Sequence, residues 1–505
     1  MGYAMTEKAW AALESAPIET IEALFAAEPG RLAQLAVEES GILFDFSKTH
    51  LSTGLVDTFL TLASEAGFVA RRDAMFAGEI VNPTEGRAAE HGAERGQGAP
   101  QSVARAAGLH ARMRALIDAI EGEAFGPIRH ILHLGIGGSA LGPDLLIDAL
   151  GRRAGRYESA IVSNVDGAAL EEAVADFDPA ATLLVIASKS FTTGETMLNA
   201  RSALRWMEEG GIADPYGRVV ALTAAPEKAI LFGVDETRIL PFAETVGGRY
   251  SLWSSVGFSA ALALGWDAFE SLLEGAAAMD RHFRFAPLEG NAPVLAAFAD
   301  LYYANIRGAE TRAVFAYDER LRLLPAYLQQ LEMESNGKGV RIDGNPADRA
   351  APIVWGGVGT DAQHAMFQLL HQGTRLVPVE FVAAIEPGDS LGEDHHRQLL
   401  INCFAQGAAL MRGRPSDDPH RAYPGDRPST TILLDRLDPA SLGALIGFYE
   451  HRAFASAALL GINPFDQFGV ELGKEMAKAL DGEGEVDFDP STQRLIARAF
   501  GEPDP

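Results

Sequence analysis

The sequence predicts an α/β protein made of two α/β/α sandwiches. Each is built on a doubly wound, parallel-type sheet, with further helices at the N- and C-terminal ends. Three observations carry this expectation. From about Ile128 short apolar runs alternate with helical segments, the rhythm that lays strands side by side in parallel. A second series of such runs begins at Thr311. And 505 residues exceed what one ordinary core encloses, so two domains with a cleft between them follow.

Taken in order, the first stretch to about Phe68 reads as helical. Ile18, Ile21, Leu24 and Phe25 recur at helical spacing, as do Leu55, Phe59, Leu60 and Leu62. Gly92 to Gln101, rich in Gly, Arg and Gln with one Pro, reads as a linker or loop. Ile128 to Leu134 is the first strand, followed by a glycine-rich turn and a helix carrying Leu141, Leu145, Leu146 and Leu150. Ser159 to Ser163, Thr182 to Ala187 and Arg218 to Thr223 continue that sheet. Thr311 to Tyr317, Pro352 to Trp355 and Val377 to Ala384 supply the second. No solenoid repeat or low-complexity tract interrupts the pattern.

Composition narrows the function classes. A formal charge of −27 repels nucleic acid and anionic membranes, so neither is expected as a partner. A phosphate-bearing ligand then needs a local pocket of donors. The one cysteine, Cys403, excludes an intrachain disulfide and cysteine-rich metal sites, and fits a reducing cytoplasm. The N-terminus has no basic region followed by an apolar run, so no secretory signal is expected. Met1-Gly2 with Thr6 matches a permissive myristoylation pattern, and Met5 is an alternative start. The apolar stretch Val256 to Trp266 is too short to span a bilayer.

Two loops carry the binding chemistry. Gly135-Ile136-Gly137-Gly138-Ser139-Ala140 lies where a strand hands over to a helix, so backbone amides approach an anion at a partly positive helix start. Pro143 is tolerated in that first turn. The same string fits a dinucleotide fingerprint, with Asp166 as the ribose partner, so by itself it leaves NAD and a sugar phosphate equally open. Ser188-Lys189-Ser190-Phe191-Thr192-Thr193 separates the two readings. Four hydroxyls and an ammonium gather at the end of Thr182 to Ala187, and Thr192 with Glu195 has capping-box spacing. A helix cap with spare serines explains this loop in isolation. A terminal phosphate explains both loops together, whereas a dinucleotide leaves the second cradle unused.

GIGGSALGP and SKSFTTGET resemble the phosphate loops of glucose-6-phosphate isomerases, a family with the sugar-isomerase (SIS) fold. The resemblance runs along nearly the whole chain: FDFSKTH from Phe44, NPTEGRAAEH from Asn82, VSNVDG from Val162, VGGRYSLWSSVG from Val246, QLEMESNGK from Gln330, GTDAQHAMFQLLHQGT from Gly359 and GVELGK from Gly469. It implies a helical N-terminal part of the large domain over 1–101, a small SIS domain with the phosphate loops over 102–266, and the large SIS domain over 267–505. It also implies interconversion of glucose 6-phosphate and fructose 6-phosphate, without metal or other cofactor, in a cytoplasmic homodimer. An NAD-dependent dehydrogenase and a non-catalytic sugar-phosphate sensor are the alternatives.

Such an isomerisation needs a carboxylate to carry a proton between neighbouring carbons and a cation beside the enediol oxygens. By resemblance Glu334 is that base, while Glu332, two residues earlier, is the competing acid. Arg249, after Gly247-Gly248, matches the enediolate-stabilising arginine; guanidinium stays protonated and offers a planar array of donors. His364 matches the ring-opening acid/base donated by the neighbouring subunit, and Lys474 its partner in ring opening. Gly138, Ser139, Ser188, Lys189, Ser190 and Thr193 match phosphate contacts, and Gln330 and Gln467 match sugar contacts.

Spacing adds faces to these assignments. Ala362, Ala365, Met366, Leu369 and Leu370 form one helical face, with His364, Gln368 and His371 opposite. Phe465, Phe468, Leu472 and Met476 form another stripe, beside Gln467, Glu471 and Lys474. His371 reads as structural, and Glu393-Asp394-His395-His396 as a solvated helix start and not a metal cluster. The chain departs from the family in TEGRAAEH, in Ser190 where animal-type sequences have threonine, and in Gly194 where glutamine is frequent.

Overall fold

The computed structural model describes residues 3–152, 155–482 and 486–501, which form two compact units, Met1–Phe465 and Asp466–Pro505. Met1 and Gly2 of the acylation pattern lie outside the described residues.

The first unit holds two sheets. Strands β1 (Ala36–Glu39) and β2 (Ile42–Asp45) precede β3 (His130–Leu134), β4 (Glu158–Val162), β5 (Thr182–Ala187), β6 (Val219–Thr223) and β7 (Ile239–Pro241). Then follow β8 (Thr311–Tyr317), β9 (Ile353–Val358), β10 (Val379–Ala384) and β11 (Ser429–Leu434). The five-stranded sheet runs β4-β3-β5-β6-β7, parallel throughout. The six-stranded sheet runs β1-β2-β11-β10-β8-β9; its last four strands are parallel, and the β1–β2 hairpin joins antiparallel to β11.

Alternate positions of each central strand enter different cores. Leu184 and Ile186 of β5 pack into one cluster, Leu183, Val185 and Ala187 into another. In β8, Ala313, Phe315 and Tyr317 face away from Val314 and Ala316. Both faces of both sheets are therefore covered, which is why β5 is apolar and buried along almost its whole length. The α/β class and the parallel sheets are those expected.

β3 and β5 are neighbours, yet the chain visits β4 between them on the far side of β3. The order reverses there, and a doubly wound sheet leaves a crevice at the carboxyl ends of the strands flanking such a reversal. The glycine turn after β3 and the serine turn after β5 are the two walls of that crevice.

Several expectations change. The N-terminal part holds helices Ile21–Ala27 and Thr53–Glu65, but Ile18 lies outside them and is exposed, and the β1–β2 hairpin turns between them at Ser40-Gly41, both with positive φ. Gly92 to Gln101 is no surface linker. Its first residues form a buried turn, His91–Arg95, and Pro100 opens the 22-residue helix Pro100–Glu121. Arg95 forks onto Asp280 (Nη2–Oδ1 2.7 Å, Nε–Oδ2 2.9 Å), donates to Glu450, and lies over the Trp253 ring. Burial pushes Glu450 up to about 7 despite that guanidinium.

A second ionic cluster lies nearby. Arg312 on β8 meets Glu332 and, at 3.1 Å, Glu380 on β10. Arg452 on the helix Pro439–Leu460 forks onto Asp300 at 2.7 Å and reaches Glu380. Glu450, His451 and Arg452 are consecutive, so one helix serves both clusters. No helix among the described residues is long and apolar enough to cross a membrane.

Removing one member of a buried ionic cluster strands the others. Arg95→Met should lower the free energy of urea-induced unfolding by about 3–5 kcal/mol. An arginine in a solvated linker would change it by less than ~1 kcal/mol.

Candidate active site

The glycine turn is held from below and approached from above. His133, the fourth residue of β3, is fully buried; its Nε2 lies 2.7 Å from the Ser139 carbonyl oxygen and its Nδ1 2.8 Å from Ser259 Oγ. Burial pushes its pKa down to about 4, so the ring is neutral, with Nε2–H donating to Ser139 and Nδ1 accepting from the hydroxyl. A Cβ on Gly138 would fall 2.1 Å from the Gly248 carbonyl carbon and 2.6 Å from the Arg249 nitrogen, so only glycine admits that loop. Gly137, at φ +57°, faces the Gln330 amide, whose Nε2 would lie 2.8 Å from an added Cβ. Ser251 Oγ donates to Gly248 O at 2.7 Å.

The second wall is a dense hydroxyl turn. Buried Ser188 Oγ lies 3.0 Å from Thr193 Oγ1, and Thr192 Oγ1 donates to the exposed Ser190 Oγ at 2.9 Å. The expected Thr192–Glu195 capping box does not form. The N-cap of Gly194–Glu209 is Thr193, and no side chain caps that helix, because Thr193 and Thr192 turn their hydroxyls to Ser188 and Ser190. The helix Leu141–Gly151 also starts without a side-chain cap. Two helix starts with free amides thus border one crevice, an arrangement that attracts a dianion. Phe191, at φ +51° and buried, closes the hydroxyl turn and packs on Phe232, a strained residue held by its core contacts.

Lys189 does not point its ammonium among these hydroxyls. Nζ donates to the carbonyl oxygens of Glu244 (2.8 Å) and Val246 (3.2 Å), tying this turn to the loop that delivers Arg249. Burial, with Arg87 nearby, pushes its pKa down to about 8.

Across the glycine turn lies a charged pair. Arg249 is buried, with Nη1 3.4 Å from Glu334 Oε1. Nε donates to Ser335 Oγ at 2.7 Å, Nη2 donates to the Pro464 carbonyl, and the Tyr250 hydroxyl shares Ser335 Oγ at 2.8 Å. Glu334 and Gln330 belong to a π-helical turn, Gln329–Glu334. Glu332 lies in the same turn but is buried against Arg312 in the ionic cluster, whereas Glu334 is partly exposed and faces Arg249. Ser335, His133 and Ser251 are the supporting residues that sequence reasoning passed over. Two histidines in an otherwise apolar strand (HILHL) and the serine after Glu334 were the available signals.

His364 stands apart. It is exposed on the helix Asp361–Gln372 and makes no hydrogen bond, ion pair or ring contact among the described residues. The buried face of this helix is Ala362, Phe367 and Leu370; of the expected face, Ala362 and Leu370 are buried and Met366 half-buried, while Ala365 and Leu369 are exposed. His371 is structural, its Nε2 2.9 Å from Gln406 Oε1.

Gln467 and Lys474 belong to the C-terminal unit. Gln467 precedes a short turn, Phe468–Val470, and the helix begins only at Glu471, so Gln467 does not share its face with Lys474. Phe465 closes the first unit and drops out of the expected stripe, and Phe468 and Leu472 are exposed. No ion pair joins Glu471 to Lys474 among the described residues. Asp166, the acid a dinucleotide would require, caps its own helix by accepting from Ala168 N. The residues Glu393 to His396 open the helix Glu393–Arg412 in solvent, and no described group of three or more His, Cys, Asp or Glu is placed to hold a metal.

Comparison with known proteins decides the family. The phosphoglucose isomerase family pattern matches residues 45–496. The chain belongs to the phosphoglucose isomerase family. It is 74% identical to a glucose-6-phosphate isomerase of Rhizorhabdus wittichii, over 98% of this chain and 100% of the relative. It is 63% identical to that of Zymomonas mobilis, over 98% of each. The crystal structure of a glucose-6-phosphate isomerase from Chlamydia trachomatis superimposes with a TM-score of 0.88 at 29% identity, covering 98% of each chain.

His133 gives a pH signature. Its folded pKa lies below the ordinary 6.5, so its contribution to stability is complete above about pH 6.5 and is lost as pH falls toward about 4. Over that window the loss approaches ~3 kcal/mol. His133→Gln, which keeps a donor and an acceptor but does not titrate, should flatten this part of a stability-against-pH curve measured by denaturant.

Proposed function

We propose that this chain interconverts glucose 6-phosphate and fructose 6-phosphate through a cis-enediol. The observation that carries the reading is the Arg249–Glu334 pair set beside a crevice walled by two uncapped helix starts and the hydroxyls of Ser139, Ser188, Ser190 and Thr193. The phosphate takes the crevice, overcoming the chain's net negative charge by local amides and hydroxyls. Its binding energy holds the sugar against the carboxylate.

The proposed chemistry runs through the residues that the family resemblance assigns. His364, from a partner subunit, and Lys474 open the ring by proton transfer. Glu334 then takes the proton from C2, and the C–H electrons form the C1–C2 double bond while charge moves to O1. Arg249, always protonated, stabilises that oxyanion. A proton passes from the C2 hydroxyl to O1, and Glu334 returns its proton to C1, leaving a carbonyl at C2. Gln330, lying against Gly137, and Gln467 orient the sugar hydroxyls.

Assembly and organisation belong to the same reading. The exposure of His364, with no partner among the described residues, supports a homodimer in which it reaches the neighbouring site. The joining of β1–β2 to the sheet of β8, β9, β10 and β11 supports assigning 1–101 to the large domain, with 102–266 as the small one. The cytoplasm is the proposed location.

Fructose 6-phosphate supplied with excess chelator should yield glucose 6-phosphate, followed through a coupling dehydrogenase. Loss of activity on chelation would exclude the metal-free reaction. Glu334→Gln should remove several orders of magnitude from kcat while phosphate binding persists; an unchanged rate sinks the assignment. Mixing inactive Glu334→Gln with inactive His364→Ala and allowing subunits to exchange should restore about a quarter of wild-type activity, because one mixed dimer site then has both groups intact. A histidine acting in its own chain would restore none.

A further inference from the structure

We propose that Glu332 is a positioning residue for the reaction: its ion pair with Arg312 fixes the π-helical turn that presents Glu334 and Gln330 to the crevice. This rests on the reading of Glu334 as the base.

The turn Gln329–Glu334 is the element on which the site depends most directly, and π-helical turns are intrinsically unfavourable unless their surroundings hold them. Residues four apart on such a turn share a face, and the residue midway between them points the other way. Gln330 and Glu334 are four apart and face Gly137 and Arg249. Glu332 is midway, and with Leu331 it is one of the two buried residues of the turn. Its carboxylate is the turn's one charged anchor in the protein interior, and it meets Arg312 on β8, a strand flanked on both sides in the six-stranded sheet.

Arg312 is itself immobilised. Its Nη1 donates to Glu380 at 3.1 Å, and Glu380 accepts from the Tyr449 hydroxyl at 2.7 Å and from Arg452. Arg452 forks onto Asp300. Downstream, Asn336 Nδ2 donates to the Ala453 carbonyl at 3.1 Å, fastening the other end of the turn to the same helix, Pro439–Leu460. The base is thus referenced to two central strands and a buried helix through one ion pair and one amide. Both acids of the sequence Glu-Met-Glu then have a function in the reaction: the first sets the turn and the second faces the substrate.

Two guanidiniums face three carboxylates in this cluster. Burial raises Glu332, even with Arg312 beside it, whereas Arg452 and Arg312 together outweigh burial and hold Glu380 low. Glu332 touches one guanidinium and Glu380 two. The anchor is therefore the cluster's least compensated carboxylate, so neutralising it leaves the remaining four charges paired. A neutral isostere at this position disturbs the turn more than it disturbs the core.

The test compares Glu332→Gln, Glu332→Asp and Glu334→Gln in the full-length protein. A misplacement of the base by about 1 Å costs on the order of a hundredfold in rate. Glu332→Gln should therefore lower kcat about a hundredfold, while KM and the Kd of glucitol 6-phosphate, which has the phosphate but no carbonyl, change less than about twofold. Deuterium at C2 should slow the variant more than it slows the wild type, because proton transfer has become more limiting. Glu332→Asp, which keeps the charge one methylene short, should recover part of the loss. A variant with a lower melting temperature but wild-type kcat per folded molecule overturns the proposal, as does an equal rise in KM and Kd. If Glu332→Gln fails to fold, Arg312→Lys, which keeps the charge but not the fork, must show the same split. Should Glu334→Gln retain full turnover, the reading of Glu334 fails; should Glu334→Gln be inactive and Glu332→Gln wild type, the positioning role alone fails.

Discussion

Two parts of the candidate site meet where Gly138 lies against the backbone of Gly248 and Arg249. On one side are the two sheet turns that gather hydroxyls and free amides; on the other is a guanidinium paired with a carboxylate. Neither half does much alone: the first would bind anions of many kinds, and the second would be an ordinary partly buried ion pair. A contact that admits no side chain fixes the distance between them. The Lys189 ammonium, bonded to the carbonyls of Glu244 and Val246, holds the same two segments together from the rear.

The electrostatics of the chain have an inner and an outer scale. The surface carries the large negative balance, while the crevice contains few formal charges and depends on oriented amides and hydroxyls. Such dipoles attract a dianion without presenting a bare cation that the neighbouring carboxylates would neutralise. Arg249 is the exception, and its guanidinium is held by Ser335, the Pro464 carbonyl and Glu334, with the Tyr250 hydroxyl sharing Ser335. A guanidinium fixed this way would need no reorganisation to meet a negative oxygen beside it.

What could be read in advance divides along physical lines. β5 and β8 match the expected bounds at both ends, because parallel strands covered on both faces are continuous apolar runs. β7, with three residues, and β11, half of whose residues are Ser429, Thr430 and Thr431, give no such signal. The β1–β2 hairpin was hidden by its shortness and by Glu38 and Glu39. Gly92 to Gln101 has the composition of a loop, and only partners 185 and 355 residues away bury Arg95. The candidate site was legible where chemistry is concentrated in one string, as in the glycine turn and the hydroxyl turn. Glu334 and Arg249 emerged by family resemblance, since nothing local marks one acid among many. Ser335 escaped because its partner Arg249 is distant in sequence, and His133 because one of its two partners, Ser259, is distant too.

The helix Pro439–Leu460 places Glu450 and His451 against Arg95 and Asp280, and Arg452 against Asp300 and Glu380. Three successive side chains point into two separate charged nests, so the helix is keyed in rotation as well as in depth. Adding or deleting a single residue upstream would turn each of them by about 100°. Both nests would lose their fit in one event, and the π-helical turn fastened at Ala453 would be displaced with them. Length variation during evolution is therefore barred from this segment even where individual side chains could be exchanged.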